Sequence, residues 1–215
     1  DKKIGHSFKK TNETFQDVMK RLVIIDQAQQ KITELSTNVV GLQQLLSNKH
    51  ARGAFGEVQL AALIKNMIPD QHYKLQHTLS NGKRVDCFLL LPEPTGNICI
   101  DAKFPLENYQ QWQGKQNSIE QKHYKQLFVI DMKKHIDDIA TKYIIDNETA
   151  SGAIMFLPAE AIFAAIHGHF PDIIQYAHRK QVWLVSPTTL MAILTTSRAV
   201  LKDAATKKQV HIIQE

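Results

Sequence analysis

Cysteine is scarce in this sequence, with only Cys87 and Cys99 among its 215 residues. Two cysteines cannot form the disulfide framework by which small secreted domains compensate for a small core. They also lack the paired spacing that a structural zinc site requires. If both lie on the strands assigned below, the two thiols point to opposite faces of a hairpin. We therefore expect buried thiols in a reducing compartment, with no role as metal ligands.

Several catalytic motifs are absent as well. The nine glycines form no glycine-rich phosphate loop, which argues against a P-loop nucleotide-binding enzyme. No Gly-x-Ser-x-Gly sequence occurs, so a hydrolase built around that nucleophile turn is also excluded. No apolar run approaches the roughly 20 residues that a transmembrane helix needs. A His-x-His pair is present at His167 and His169, and we interpret it as structural or surface-exposed.

Charge is mildly in excess on one side. Lysine and arginine number 26 against 21 acidic residues, which gives a net charge of +5 and a pI near 9.1. This excess is compatible with a polyanionic partner, although there is no basic tail. Hydrophobic residues make up 43% of the chain, an ordinary fraction for a globular protein with one sizeable core and an accessory segment.

Residues 1–48 differ from the rest of the chain. Apolar residues recur every seven positions, with a second apolar line three or four positions on: Val18, Ile25, Ile32, Val39 and Leu46, then Leu22, Leu35 and Leu42. This pattern predicts a long helix of the coiled-coil type. The helix either joins copies of the chain into a homo-oligomer or packs on its own domain. Gln29 and Ser36 interrupt the second line, so an oligomer formed this way would be modest in strength.

Residues 49–205 read as a compact α/β domain, followed by a C-terminal tail at 206–215. The predicted helices cover residues 52–67, 119–145, two runs on either side of Pro171, and 188–205. The predicted strands cover residues 73–79, 84–91, 98–104, 153–157 and 182–186, with a polar connection through Gln116. This order indicates a mixed β-sheet flanked by helices.

The strand at 98–104 contains the first candidate catalytic residues. Side chains alternate along a strand, so Asp101 and Lys103 share one face. A carboxylate and an ammonium on an apolar strand are costly to bury unless they pair or hold a ligand. In phosphodiesterases such an Asp binds a metal ion and the Lys aligns or deprotonates the attacking water. The spacing also occurs at Glu120–Lys122 and Asp131–Lys133, which we interpret as surface charges on a helix.

Two further carboxylates support a metal site. Asp86 begins an almost wholly apolar strand, and a hairpin would bring it near Asp101; alternatively, it caps a turn. Glu57 follows Gly53 and Gly56 in the first turns of a helix, where glycine costs roughly 1 kcal/mol relative to alanine. The helix is therefore expected to approach another backbone or a ligand closely, although an early Glu also favours the helix dipole. Three carboxylates suit Mg²⁺, with Mn²⁺ as a substitute.

The ordered set Glu57, Asp86 and Asp101-Ala102-Lys103 resembles the PD-(D/E)xK nuclease superfamily, and more specifically the RmuC family of bacterial DNA recombination proteins. The matching stretches are GAFGEVQL at 53–60, RVDCFLLLP at 84–92, IDAKFPLENY at 100–109, ATKY at 140–143, MFLPAE at 155–160 and SPTTL at 186–190. Two positions depart from the family pattern, because Phe55 stands for the usual Trp and Val85 for the usual Pro. Both are packing or backbone positions.

The resemblance implies a restriction-endonuclease-like fold. It implies metal-ligand roles for Glu57, Asp86 and Asp101 and a water-positioning role for Lys103. It also implies a bacterial cytoplasmic protein that limits DNA rearrangement, and commonly a membrane anchor ahead of the coiled coil.

The first hypothesis is therefore a Mg²⁺-dependent deoxyribonuclease. Weaker candidates for contacts to DNA are Lys134, His135, Lys142 and Arg198, and weaker candidates for lining the cleft are Tyr143 and Glu160. The first rival is a catalytically inactive DNA-binding scaffold that keeps the fold and oligomerises through its N-terminal helix. A second rival is a coiled-coil adaptor that binds protein partners and no nucleic acid.

Overall fold

The computed structural model describes residues 49–115 and 117–213. The predicted N-terminal helix and its oligomer lie outside these residues. The described part begins with helix α1, Lys49–Met67. Leu60 and Ile64, four residues apart on one face of α1, are fully buried, as expected for a helix packed on a core. Pro69, which cannot continue a helix, follows shortly after its end, and a short 3-10 turn spans Asp70–His72.

Three antiparallel strands come next, within about two residues of their predicted ends: β1 is Tyr73–Thr78, β2 is Arg84–Leu89 and β3 is Ile98–Ala102. The β1–β2 turn includes Gly82, whose φ of 74° lies in the region that favours glycine. In the β2–β3 pair Cys87 is opposite Ile100 and Cys99 is opposite Phe88. The two thiols therefore point to opposite faces, as predicted, and both are buried and free.

Two helices follow β3. Helix α2, Leu106–Gly114, was not predicted, because its glutamine-rich sequence buries only Trp112 and shows little apolar periodicity. Helix α3, Ser118–Tyr143, matches the predicted long helix. The Asn117 side chain caps α3 by accepting a hydrogen bond from the Ile119 N–H at 3.0 Å.

The remaining elements are β4 (Ala153–Phe156), α4 (Glu160–His169), α5 (Pro171–Arg179), β5 (Val182–Val185) and α6 (Pro187–Ile213). Helix α6 extends past the predicted end at Ala205. Residues 206–213, which we assigned to a separate tail, continue the helix instead. No Gly or Pro follows Pro187 in that stretch, so nothing in the sequence interrupts it.

The five strands form one mixed sheet in the order β1-β2-β3-β4-β5. The pairs β1–β2 and β2–β3 are antiparallel, whereas the pairs β3–β4 and β4–β5 are parallel. Parallel neighbours need crossover connections, and α2 and α3 make the first of them while α4 and α5 make the second. The prediction of a mixed sheet flanked by helices is confirmed.

Both faces of the sheet are buried. On one face Phe88, Cys99 and Met155 join a cluster that includes Phe128 and Met132 of α3. On the other face Cys87 and Ile100 are fully buried, and α1 packs against β2, β3 and α6. Within the described ranges every helix is too short or too polar to span a bilayer.

Candidate functional site

A cavity of about 470 Å³ opens where β3 ends, between α1 and α3. Its lining includes all four residues that the sequence singled out as catalytic: Glu57, Asp86, Asp101 and Lys103. The other walls are Arg52 and Gly53 of α1, Ala102 at the end of β3, residues 104–107, and Asp131, Lys134, His135 and Asp138 of α3. Open α/β sheets commonly bind ligands in such a crevice beyond the strand ends.

Asp86 and Asp101 face each other across the β2–β3 pair. The register pairs Cys87 with Ile100, and one further step in each strand brings Asp86 opposite Asp101. The backbone pairing of β2 with β3 ends before this step, and the Asp86 side chain bonds to β3 in its place. Its Oδ2 accepts a hydrogen bond from the Ala102 N–H at 2.8 Å. Asp86 is thus fixed to β3 beside Asp101, as the predicted hairpin required.

Asp101 and Lys103 form a direct ion pair. Their side chains lie on the same side of the chain, as strand alternation predicts. The residue Asp101 is 3% exposed, whereas the Lys103 side chain retains 27% of its exposure. A buried carboxylate is costly without a counter-charge, and Lys103 supplies that charge from the cavity side. The Lys103 N–H also donates to the Phe156 carbonyl at 2.9 Å, which ties this segment to β4.

Glu57 reaches the site because α1 approaches β3 closely at Gly56. A Cβ atom on Gly56 would lie 3.1 Å from Pro158 Cγ and 3.4 Å from Ala102 Cβ. Gly53, by contrast, lines the cavity and would meet nothing within 4 Å. Gly56 therefore allows the close approach that we predicted for this helix, whereas Gly53 faces open space in the cavity.

Gln76 links Glu57 to Asp86 and was missed by the sequence analysis. Its Nε2 donates to Glu57 Oε2 at 3.2 Å and to Asp86 Oδ1 at 3.1 Å. The residue lies in the middle of β1 with a φ of 50°, in the left-handed region that non-glycine residues rarely adopt. A glutamine within Tyr-Lys-Leu-Gln-His-Thr carries no sequence signal for such a conformation.

Helix α3 forms the opposite wall, and here one interpretation was wrong. Asp131 was read as a surface charge, but it lines the cavity and accepts a hydrogen bond from the Asn108 side chain. Residues three, four and seven positions apart share one face of a helix, so Asp131, His135 and Asp138 face the pocket together. Lys133 points elsewhere, since its Nζ lies 5.3 Å from the centre of the Tyr176 ring.

The cavity carries more negative than positive charge. Six carboxylates line it, and the fixed cations among its lining residues are Arg52, Lys103 and Lys134. Burial, together with the nearby charges of Asp101 and Glu57, raises the pKa of Asp86 to about 6, against an ordinary value of 3.8. The raised pKa means that the protonated form of Asp86 is favoured over the charged form. A divalent cation would favour the charged form again, because it compensates several carboxylates at once.

Two other predicted residues lie close to this centre. Burial and the charge of Lys103 lower the pKa of His135, so this cavity-lining imidazole favours its neutral form. Tyr143 is buried, not cleft-lining, and its hydroxyl donates to the Arg84 carbonyl at 2.9 Å. Burial and the adjacent Asp101 charge raise the Tyr143 pKa far above its ordinary value. Tyr143 therefore supports the site from the core side.

Three predicted residues lie away from the cavity lining. Lys142 pairs with Asp138 at 3.4 Å. Arg198 is exposed on α6. Glu160 accepts a hydrogen bond from the Thr188 N–H at 2.7 Å, so it caps the start of α6 and does not line the cleft. Lys134, the remaining predicted DNA contact, is exposed on the cavity rim.

The residues present fit a hard divalent cation by the chemistry of their donors. Glu57, Asp86 and Asp101 offer carboxylate oxygens, which Mg²⁺ prefers. Within residues 49–115 and 117–213, however, no three His, Cys, Asp or Glu side chains already stand in a ligating arrangement. In this arrangement Asp101 is paired with Lys103, and Gln76 donates to the other two carboxylates. The predicted structural or surface histidines have other contacts, since His167 bonds to the Phe163 carbonyl and His169 packs on Trp112.

Comparison with known proteins shows similarity to one family. The model of the RmuC family matches residues 1–215. Three relatives, each named DNA recombination protein RmuC homolog, come from Pasteurella multocida (27% identical over 87% of this chain and 40% of the relative), Chlamydia muridarum (29%, 96% and 49%) and Zymomonas mobilis (30%, 71% and 36%). The chain thus spans less than half the length of these relatives. No solved structure gives a significant match.

Proposed function

The chain belongs to the RmuC family, and from this premise we propose that residues 49–213 are a Mg²⁺-dependent phosphodiesterase domain that acts on DNA. The proposed fold type is restriction-endonuclease-like, and the proposed process is DNA recombination or the limitation of DNA rearrangement. The relatives are named for DNA recombination, and the charges of the cavity suit metal-assisted hydrolysis.

One observation carries the proposal. Glu57, Asp86, Asp101 and Lys103 come from three separate elements and the loop after β3, yet they line the same cavity. Two arrangements would have argued against hydrolysis: Glu57 turned away from the hairpin, or Lys103 on the other side of the sheet from Asp101. Instead, Gln76 connects Glu57 to Asp86 and Lys103 contacts Asp101.

Each side chain has a role that follows from its contacts. Asp86 and Asp101, on neighbouring strands, and Glu57 of α1 are the residues whose carboxylates would hold Mg²⁺. When bound, Mg²⁺ supplies charge stabilisation for the phosphate in the transition state. Lys103 lies beside Asp101 with part of its side chain exposed to the cavity, so it would orient the attacking water. His135, which favours its neutral form, would accept or relay a proton on the opposite wall.

DNA is the proposed partner because a metal ion held by the site carboxylates would also bind the negatively charged phosphates of a substrate. Lys134, which is exposed on the rim, is the cavity-lining cation that would contact backbone phosphates. Homo-oligomerisation through residues 1–48 and a location in the bacterial cytoplasm remain parts of this proposal. Mn²⁺ is expected to substitute for Mg²⁺.

One observation favours the rival, a DNA-binding scaffold without catalysis. The carboxylates of the site already have protein partners, namely Lys103 for Asp101 and Gln76 for Glu57 and Asp86. An inactive descendant of a nuclease could keep these carboxylates because their hydrogen bonds and ion pairs are already made within the protein. The rival also has a difficulty, because a cavity with twice as many carboxylates as fixed cations repels DNA unless a metal ion is present.

The two functions are separated by a cleavage assay on the purified chain with Mg²⁺ or Mn²⁺. Labelled single-stranded, duplex and branched DNA and a closed circular substrate would be compared. We expect metal-dependent cleavage that Asp101→Ala and Lys103→Ala each lower by at least about a hundredfold.

Lys133→Ala is the matched control, because it removes a lysine with the same spacing from an aspartate but outside the cavity. It should cleave as the wild type does, whereas cleavage by contaminating nucleases would persist in Asp101→Ala and Lys103→Ala. Salt-dependent DNA binding with no cleavage by any variant, on every substrate and with both metals, would favour the scaffold.

A further inference from the structure

Gln76 has a left-handed backbone conformation, although a residue inside a regular strand pair is expected to be extended. It is an interior residue of β1, and the β1–β2 register is the same on both sides of it: Leu75 is opposite Cys87 and His77 is opposite Val85. Gln76 therefore lies directly opposite Asp86, yet the two are absent from the pairing. With φ at 50°, the Gln76 backbone leaves the extended conformation for one residue and then resumes it.

A left-handed residue inside a strand has an energetic cost for any side chain other than glycine. No chain reversal occurs here, so the conformation does not serve a turn. Strain of this kind persists where the surroundings impose it, and it is concentrated at functional sites. The consequence visible at Gln76 is the direction of its amide, which lies between Glu57 and Asp86.

Both amide hydrogens of Gln76 are used, one on each carboxylate. Nε2 lies 3.2 Å from Glu57 Oε2 and 3.1 Å from Asp86 Oδ1. Because the other Asp86 oxygen accepts the Ala102 N–H, Asp86 is held through both oxygens. Gln76 thereby spans the gap between α1 and β2 and sets the separation of two carboxylates that otherwise repel each other.

An amide suits this task better than a charged group would. A lysine at position 76 would bring two carboxylates together but would also neutralise them and compete with a cation. A glutamate would add a third repelling charge. Glutamine donates two hydrogen bonds and carries no net charge, so it fixes the positions of the carboxylates without adding a charge that competes with a cation.

We propose that Gln76 is a positioning residue, whose strained backbone directs its amide to hold Glu57 and Asp86 at the cavity, where both carboxylates would be available to a divalent cation. The inference rests on the proposed function, since it concerns the same metal site. Residues that orient metal ligands in this way typically change metal affinity by about 10-fold to 100-fold when they are removed.

The test compares three variants of the whole chain by Mn²⁺ titration calorimetry and by thermal unfolding in EDTA. Gln76→Gly removes the amide and the backbone strain together, whereas Gln76→Ala removes the amide alone. Gln181→Gly is a matched control, because Gln181 has a φ of 57° but lies between α5 and β5, with its side chain bonded to the His178 carbonyl.

We expect both Gln76 variants to bind Mn²⁺ at least about tenfold more weakly than the wild type, and Gln76→Gly to melt above Gln76→Ala. Gln181→Gly should leave Mn²⁺ affinity unchanged. Weaker binding without loss of stability is the result that a merely structural glutamine would not give. Wild-type affinity in Gln76→Gly would overturn the inference but leave the proposed function intact. A wild-type chain that binds no Mn²⁺ would overturn both.

Discussion

The end of β3 and the middle of α3 contain the same short pattern, an aspartate followed two residues later by a lysine, with opposite results. At the end of β3, Asp101 and Lys103 lie on the same side of the chain and form an ion pair. In α3, Asp131 lines the cavity, whereas Lys133 lies against the Tyr176 ring. Successive residues turn by about 100° in a helix and by about 180° in a strand, so equal spacing in sequence gives unequal geometry.

The comparison also shows how burial separates two carboxylates in one cavity. Asp101 is 3% exposed and has a lysine as its counter-charge. Asp131 is half-buried and bonded to the neutral amide of Asn108. Under the proposed function, the strand carboxylate holds the cation and the helix carboxylate shapes the wall. Mutations that treat the two patterns alike should therefore have unequal effects.

The largest difference is expected in catalysis. Asp101→Asn should lower Mg²⁺-dependent DNA cleavage by at least about a hundredfold, because it removes a charged ligand without changing the shape of the side chain. Asp131→Asn should lower cleavage by less than about tenfold. Initial rates on one labelled substrate measure both effects. Equal losses in the two variants would mean that the helix carboxylate also binds the cation, and the comparison would fail.

The second difference is expected in stability without metal. Lys103→Ala leaves Asp101 buried with no counter-charge and should lower the free energy of unfolding in EDTA by about 3 kcal/mol. Lys133→Ala removes only a contact of Lys133 with an aromatic ring near the surface, so a change below about 1 kcal/mol is expected. Denaturant unfolding monitored by circular dichroism gives both values.

Mg²⁺ sharpens this second test. If the cation binds beside Asp101, it replaces the missing lysine charge, so Mg²⁺ should stabilise Lys103→Ala more than it stabilises the wild type. Lys133→Ala should respond to Mg²⁺ as the wild type does. An equal Mg²⁺ response in all three proteins would indicate that no cation binds next to Asp101.

Much of this arrangement follows from the sequence. Strand alternation placed Asp101 beside Lys103, and the short β2–β3 connection brought Asp86 opposite Asp101. The two glycines of α1 indicated that the helix approaches another segment or a ligand closely, and Gly56 shows such an approach to Ala102 and Pro158. These predictions succeeded because local periodicity and glycine chemistry determine them, with little dependence on distant parts of the chain.

The predictions that failed depend on contacts between distant segments. Asp131 looked like a surface charge because a helix pattern does not tell which neighbour covers its polar face. Glu160 looked cleft-lining, although it caps α6 through Thr188. Gln76 was overlooked, since its left-handed backbone results from tertiary structure and glutamine has no special preference for it. Helix α2 was missed because its glutamines gave no apolar period.

The pH dependence of the metal-free protein gives a third test of the strand carboxylates. Folding raises the pKa of Asp86 from 3.8 to about 6, through burial and the charges of Asp101 and Glu57. A raised pKa favours the protonated folded state, so this contribution to stability is fully present below pH 3.8 and is lost as the pH rises through about 6. The loss should reach about 3 kcal/mol at pH 7.

Asp86→Asn removes this titration. In EDTA the variant should therefore gain stability relative to the wild type as the pH rises from 4 to 7, while its DNA cleavage is lost. Saturating Mg²⁺ should reverse the order at pH 7, because the cation favours the carboxylate. Parallel urea unfolding curves at four pH values measure this effect. A constant difference between the two proteins across that range would contradict the assigned cause.

The smallest effects are expected at the two glycines of α1. Gly56 packs against the strand region, whereas Gly53 faces the cavity. Gly53→Ala should stabilise the protein by about 1 kcal/mol, because alanine is the better helix former and its Cβ meets nothing within 4 Å. Gly56→Ala gains the same propensity but places a Cβ 3.1 Å from Pro158 Cγ and 3.4 Å from Ala102 Cβ.

Neither neighbour of Gly56 can move easily, since the proline ring is rigid and the Ala102 N–H is bonded to Asp86. Gly56→Ala should therefore destabilise the protein by about 1 kcal/mol and push α1 away from β3. Because Glu57 moves with α1, Mg²⁺-dependent cleavage should fall by about tenfold, whereas Gly53→Ala should keep its activity. Thermal melts and initial rates on the two variants decide the matter. A stabilised and fully active Gly56→Ala would show that Glu57 reaches the cavity without the close contact between α1 and β3.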